Sequence, residues 1–546
     1  MAQHAALTTH PASGAAVALD AQPTLQDRLI GSYGPYRANN DLLHYTLVLR
    51  VDPAAKTIAG SNTIRFRMLS DGAKMQLELS RALTIDGITM DGKPLVYERV
   101  EGADRTFYVD FGTTLHAGDV RDVTVNYHGT PRTQGRFGCF SFDKDPAGHP
   151  WITTACEGDG PGNWWPQKEQ WRDEPQEGVD FRIDVPTGLV DVSNGRLVGS
   201  HDLGDGYTRW QWRVRAPINN YDVALNIGRY THFSGPKHGE TTLDYWVLPA
   251  DLAKAKAQFA QVPGMLDAYE KYVGPYPFNE DGYKLVEVPY AGMEHQSAVA
   301  YGNHFTNGYY GRDWAGVGTS LQFDFIIIHE SGHEWFGNAV TAADPCDMWI
   351  HEGWTTYLES LYVESRWGKA EALRYLNGLK PKVKNDRPII PPCGIDLEPP
   401  EDQYFKGALM LNTLRSVVGD DAQWFAMVRG FYAAFKYKTI ATADVVSYFD
   451  HASGRDLTPI FDEYLREAEM PQLLLTVDEQ NRVVASEWRA SDAKFAMSVR
   501  LAGTMLQPVV GRSTPNAPLA YTAEQMRQLE EQYYVMPRLR AAGGTE

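Results

Sequence analysis

From about residue 43 to residue 235, apolar and polar positions alternate with a period of two. Segments such as "LHYTLVLRVD", "TIAGSNTIRFRML", "MQLELS", "TFYVDF" and "DVTVNYHG" predict strands separated by Gly, Asp and Pro turns, and "TRWQWRVRAP" and "YDVALNIGRY" extend the run. So many short strands imply an antiparallel sandwich or saddle. The period changes near residue 250. "DLAKAKAQFAQVPGMLDAYEKYV" has helical spacing, "GPYPF" stops it, and "YKLVEVP" at 283–289 predicts a strand. Helices are then predicted over 319–340, 353–366, 406–418, 421–435, 442–451 and 458–467. After "EMPQ" at 469–472 the period returns to two, which predicts a small terminal β module.

Composition narrows the function classes. With 546 residues, 43% of them hydrophobic and 12% aromatic, the chain can build several packed cores. A formal charge of -18 argues against nucleic acid and anionic membrane surfaces, because both need a basic face. No apolar run approaches the ~18 residues that span a bilayer, so membrane insertion is not expected. The opening "MAQHAALTTHPASGAAVALDAQPT" has no basic segment followed by an apolar one. Read as given, that start fits a soluble, cytoplasmic protein; a trimmed signal peptide would make it periplasmic or secreted. Cys139, Cys156, Cys346 and Cys393 are too widely spaced for a zinc ribbon, and their pairing is left open.

The chemistry concentrates in "IIIHESGHEWFGN" at 326–338. Residues four apart share a helix face, so His329 and His333 can point two imidazoles at one ion. Glu330 lies ~100° round the helix, where its carboxylate can take a proton from water beside the metal. The apolar "FDFIII" before the motif would bury this helix, and buried histidines need partners. A catalytic zinc commonly keeps three protein ligands. Glu352, in "DMWIHEGWTTYLESLYVE", is separated from His333 by 18 intervening residues and can return on a second helix. Glu359 is seven positions on, on the same face, and is a candidate acceptor for a ligand histidine N–H; a solvated charge is the competing reading. His351 points elsewhere round the helix and is read as non-ligating.

"HESGHEWFGN" followed by "WIHEG" resembles the zinc aminopeptidases related to aminopeptidase N and leukotriene hydrolase. "LHYTLVLRVDPAAKTIAG", "GPYPF", "KGALMLNTLR" and "FDEYLREAEMPQL" carry the likeness over residues 40–499. The resemblance implies a multidomain α+β chain. Its parts are a flexible tail over 1–24, an N-terminal antiparallel β saddle over 25–235, a thermolysin-like, mainly helical catalytic domain over 236–470, and a small C-terminal β-sandwich over 471–546. It also implies one Zn²⁺ per chain, held by His329, His333 and Glu352. In "YAGMEHQSAVAYGN", Gly292, Met293 and Glu294 match the family's exopeptidase strand, with His295 where Asn is usual. By that likeness, Glu294 binds the free amine of a peptide substrate, and Gly292 and Met293 line the substrate site. Glu157, in "TTACEGDGPGNWWP", is the implied second amine ligand, with Trp164 and Trp165 as packing. Tyr404, in "EDQYFKGALML", is the implied donor to the reaction's oxyanion.

The expected activity is therefore zinc-dependent removal of N-terminal residues from peptides. A thermolysin-like endopeptidase, a silent interaction module on the same fold and an epoxide hydrolase are the alternatives. Oligomeric state is not readable from the sequence.

Overall fold

The computed structural model describes residues 22–133 and 138–542, so the expected tail over 1–24 falls almost wholly outside the described residues. The alternating segments pair as their period predicts. Ten strands form one sheet in the order Arg196–Asp202, Tyr207–Val214, Val179–Pro186, Asn40–Asp52, Thr57–Met68, Val120–Gly129, Leu83–Met90, Lys93–Arg99, Thr106–Leu115 and Gly72–Glu78. Neighbours run antiparallel except Asn40–Asp52 beside Val179–Pro186, which is parallel. Alternate residues such as Leu47, Leu49, Ile64 and Phe66 are fully buried, as a sheet with one wet face requires. A second sheet of four strands includes Pro150–Ala155, whose end leads into Glu157.

A five-stranded sheet opens the next domain, ordered Thr231–Ser234, Leu243–Val247, Tyr283–Glu287, Val299–Tyr301 and Gly292–Met293. Thr231–Ser234 pairs with Leu243–Val247, so a division after residue 235 would cut a hairpin. Nine helices of this domain have seven residues or more: Leu252–Gln258, Val262–Tyr272, Phe325–Gly332, Trp349–Trp367, Lys369–Gly378, Asp402–Val418, Asp421–Phe435, Thr442–Ser453 and Thr458–Arg466. The helix predicted over 319–340 is instead three pieces. A short turn at Thr319–Gln322 precedes helix Phe325–Gly332, and the backbone then leaves helical geometry at Phe336 and Gly337. Asp324 causes the restart, since its side chain caps the N–H groups of Ile326 and Ile327.

Three helices of seven residues or more were not predicted. Leu25–Gly31 is too short to show a period and is held by a capping box between Thr24 and Asp27. Lys369–Gly378 follows Gly368, whose φ of 89° breaks it from the preceding helix. The C-terminal region is β-rich: Gln472–Val477, Val483–Arg489, Thr514–Leu519 and Met536–Ala541 form a four-stranded sheet. It also carries helix Ala523–Gln532, absent from the period-two reading, which starts at a Thr522–Gln525 capping box. All four cysteines pair, as Cys139–Cys156 and Cys346–Cys393.

Candidate active site

Helix Phe325–Gly332 is fixed from outside before any chemistry is considered. Its cap Asp324 is buried and accepts from the Tyr301 hydroxyl (2.7 Å), Gln258 Nε2 (2.7 Å) and Asn303 Nδ2 (2.8 Å). Ile326, Ile327 and Ile328 are at most 1% exposed, so the helix cannot rotate without exposing its apolar side. Helix Trp349–Trp367 packs across it, and Asp402–Val418 crosses that second helix in turn. The latter crossing is close because two glycines face each other. A Cβ on Gly353 would lie 3.3 Å from Gly407 Cα, and one on Gly407 would lie 3.0 Å from Gly353 Cα. Gly353 follows Glu352 and Gly407 stands three residues after Tyr404, so this approach delivers both side chains to one place.

His329 Nε2, His333 Nε2 and Glu352 Oε2 form a near-equilateral triangle with edges of 3.5, 3.4 and 3.4 Å. Both tautomers follow from the far ring nitrogens. His329 Nδ1 donates to Glu359 Oε1 at 2.6 Å, and His333 Nδ1 donates to the Phe336 carbonyl at 3.0 Å. Two imidazole lone pairs and a carboxylate oxygen therefore converge, and Glu352 Oε2 has no hydrogen-bond partner although it is buried. Tetrahedral coordination with bonds of about 2.0–2.1 Å has edges of about 3.3–3.4 Å, so this donor set fits Zn²⁺. The local field points the same way. Burial works against charge on Glu352, but His333 and His329 outweigh it and hold the carboxyl far below its usual range. At His329 burial is outweighed by the adjacent carboxylates of Glu352 and Glu359, which raise its pKa.

Glu330 is 8% exposed and faces Gly292. A Cβ on Gly292 would meet Glu330 Oε1 at 2.7 Å and Ile326 Cγ2 at 2.8 Å, so only glycine lets the edge strand Gly292–Met293 lie over the carboxylate. Burial pushes Glu330 up to about 7, with His329 pulling it down and Glu294 pushing it further up. Single donor atoms of Glu294, Glu330 and His333 lie within 4.8 Å of one another. Glu157, Glu294 and His351 form a second such group within the same limit. Glu157 comes from the β domain, and burial with Glu294 beside it raises its pKa well above normal. The Tyr404 ring lies 6.1 Å from the His329 ring, tilted by 26°. Met293 is 2% exposed and packs with Ala155, Val288 and Ala300. The structure thus brings the candidate ligand, acid–base and amine-binding residues, with Tyr404 and Gly292, to one region.

Two helices bring an H-E-x-x-H pair and a distant glutamate together as a two-histidine, one-glutamate donor set that could hold a metal ion. Residues 258–464 match the peptidase family M1 domain. The chain is similar to leucine aminopeptidase 2 of Yarrowia lipolytica, 24% identical over 514 residues that cover 86% of this chain and 75% of the relative. Endoplasmic reticulum aminopeptidase 1 of Mus musculus is 24% identical over 54% of this chain but only 33% of its own length. The curated relatives are thus spanned over one third to three quarters of their length. Among solved structures, an M1 zinc metallopeptidase from Deinococcus radiodurans, bound to a Tyr-Ser-Ala substrate, superposes with a TM-score of 0.69 at 18% identity. The match covers 81% of this chain and 98% of that one. Yeast leukotriene A4 hydrolase superposes at 0.63, with 18% identity over 79% of this chain and 69% of its own. These likenesses establish the fold.

Sequence reading missed several residues that hold the site. Tyr375 donates to Glu359 Oε2 at 2.6 Å, and Thr355 lies 3.2 Å from His333 Nδ1. Thr355 was findable, standing one turn after Glu352 on the same face. Tyr221, whose hydroxyl donates to Glu294 Oε1 at 3.3 Å, comes from the β domain and carries no local signal.

Proposed function

We propose that this chain is a zinc-dependent aminopeptidase that releases N-terminal residues from peptides. His329, His333 and Glu352 hold one Zn²⁺. When bound, the ion supplies Lewis acidity toward water and toward the scissile carbonyl. Glu330 takes the proton of the attacking water on its carboxylate and later gives it to the leaving amine. The Tyr404 phenol donates to the oxygen that becomes negative. Glu157 and Glu294 grip the ammonium group, and Gly292 keeps the substrate strand close to Glu330. Relatives named as aminopeptidases support this assignment. The observation that carries the reading is the Glu157–Glu294 pair. It places two carboxylates within 4.8 Å of each other, and Glu294 within that distance of Glu330 and His333. An ammonium group held by this pair would sit one residue from a carbonyl placed beside Glu330 and His333. An endopeptidase has no use for such a pair, and a silent module has no need of the converging metal donors.

A panel of aminoacyl-coumarin and matching acetylated substrates, run with and without chelator, tests the reading. Cleavage confined to free amines, lost on chelation and restored by zinc, is expected. Equal cleavage of blocked and free substrates would overturn it. Two disulfides support an oxidising compartment, periplasmic or extracellular, over the cytoplasm. Among the described residues no helix is long and apolar enough to cross a membrane.

A further inference from the structure

His351 precedes the metal ligand Glu352, yet its ring faces away from the triad. Its Nε2 accepts the backbone N–H of Ala342 at 2.8 Å, an atom of strand Val340–Ala342. A ring nitrogen that accepts carries no proton, so the neutral imidazole has its proton on Nδ1. That Nδ1 lies 3.5 Å from the Tyr221 hydroxyl, which in turn lies 3.3 Å from Glu294 Oε1. Donor directions therefore run one way: Ala342 N–H to His351, His351 Nδ1–H to Tyr221, and Tyr221 O–H to Glu294.

The parts of this chain are held in place independently. Trp171 stacks on the His351 ring at 5.3 Å and 10°, which fixes the imidazole plane. It also packs against Tyr221 at 5.0 Å. The residues before Tyr221 are tied down as well, by Asn219 Nδ2 to the Trp171 carbonyl (3.3 Å) and Asn220 Nδ2 to the Lys168 carbonyl (3.0 Å). His351 is 0% exposed and Tyr221 1% exposed, so water does not compete for these groups. Aligned donors polarise one another, which strengthens the final bond to a carboxylate.

We propose that Tyr221 and His351 are positioning residues of the amine subsite. As a relay ending on one oxygen of Glu294, they orient its carboxylate toward Glu157 and the incoming ammonium. The relay rests on the aminopeptidase reading above. Its contacts stay the same in ground and transition states, so losing it weakens binding rather than chemistry.

The test uses the zinc-loaded full chain and matched free-amine and acetylated peptides. Tyr221→Phe keeps the ring and removes the hydroxyl. It should raise KM for free-amine substrates roughly tenfold, the scale of one hydrogen bond to a charged group, with kcat within about twofold. Zinc content should not change. His351→Leu should match it, and His351→Asn, which retains an N–H donor near the Nδ1 position, should lose less. Because the two residues act in series, Tyr221→Phe/His351→Leu should lose no more than either single variant. Multiplied losses in the double variant, or an unchanged KM in Tyr221→Phe, would overturn the relay alone. If the unmodified enzyme cleaves acetylated and free peptides equally, the aminopeptidase reading fails and the relay with it.

Discussion

Glu359 offers the most direct measure of how the polypeptide tunes its metal site. Its Oε1 accepts from His329 Nδ1 at 2.6 Å, with the two side chains 1% and 10% exposed. Its other oxygen accepts from Tyr375. A hydrogen bond to a charged group in such surroundings is worth about 1.5–3 kcal/mol, or about 10- to 150-fold in a dissociation constant. Removing a carboxylate behind a ligand histidine commonly costs about 10- to 100-fold in metal affinity, which agrees. Glu359→Ala should therefore weaken zinc binding by about 10- to 100-fold. Glu359→Gln should lose less, because its carboxamide oxygen can still accept from Nδ1–H. Competition against a chromophoric chelator, with metal content by mass spectrometry, measures both. Thermal unfolding of the metal-free forms separates loss of affinity from loss of fold. Wild-type affinity in Glu359→Ala would refute the reasoning, because His329 would then need no acceptor behind it.

Two other outcomes follow from the geometry. Glu330→Gln should bind zinc normally and lose at least ~100-fold in kcat, as expected when a general base is removed; near-normal turnover would reassign the base. Asp421 accepts from Arg415 at 2.9 Å twice and from Lys369 at 2.9 and 2.8 Å, joining three helices. The Arg415 hydrogen bond is the largest influence pulling it down, to about 2 from an ordinary 3.8. A depressed carboxyl stabilises the fold above its unfolded value and loses that contribution as pH falls through the folded one. The side chain is 45% exposed, so after screening Asp421→Asn should cost only about 1 kcal/mol at pH 7. Urea midpoints should show the gap to wild type closing between pH 4 and pH 2.

The convergence of His329, His333 and Glu352, with Glu359 behind His329, was legible because helical geometry turns sequence spacing into spatial position: His329 and His333 sit one turn apart, and Glu352 and Glu359 share a face. Strands of the β domain were legible because one buried face imposes alternation. Other features depended on contacts no local pattern records. Tyr221 and His351 meet across two domains, Gly353 and Gly407 across two helices, and four cysteines admit three pairings. The short helix Leu25–Gly31 and the polar helix Ala523–Gln532 lacked a clear apolar stripe, so the period that exposed the buried helices had little to register.

The Cys346–Cys393 bridge has a consequence beyond compartment. Its covalent ring encloses the whole of helix Trp349–Trp367, and Cys393 lies just upstream of helix Asp402–Val418, which carries Tyr404. Opening it would slacken, in one event, the tether behind a zinc donor and the tether behind the phenol. Recombinant material made in a reducing cytosol should then understate turnover. Activity per folded molecule would track thiol status during production rather than total yield.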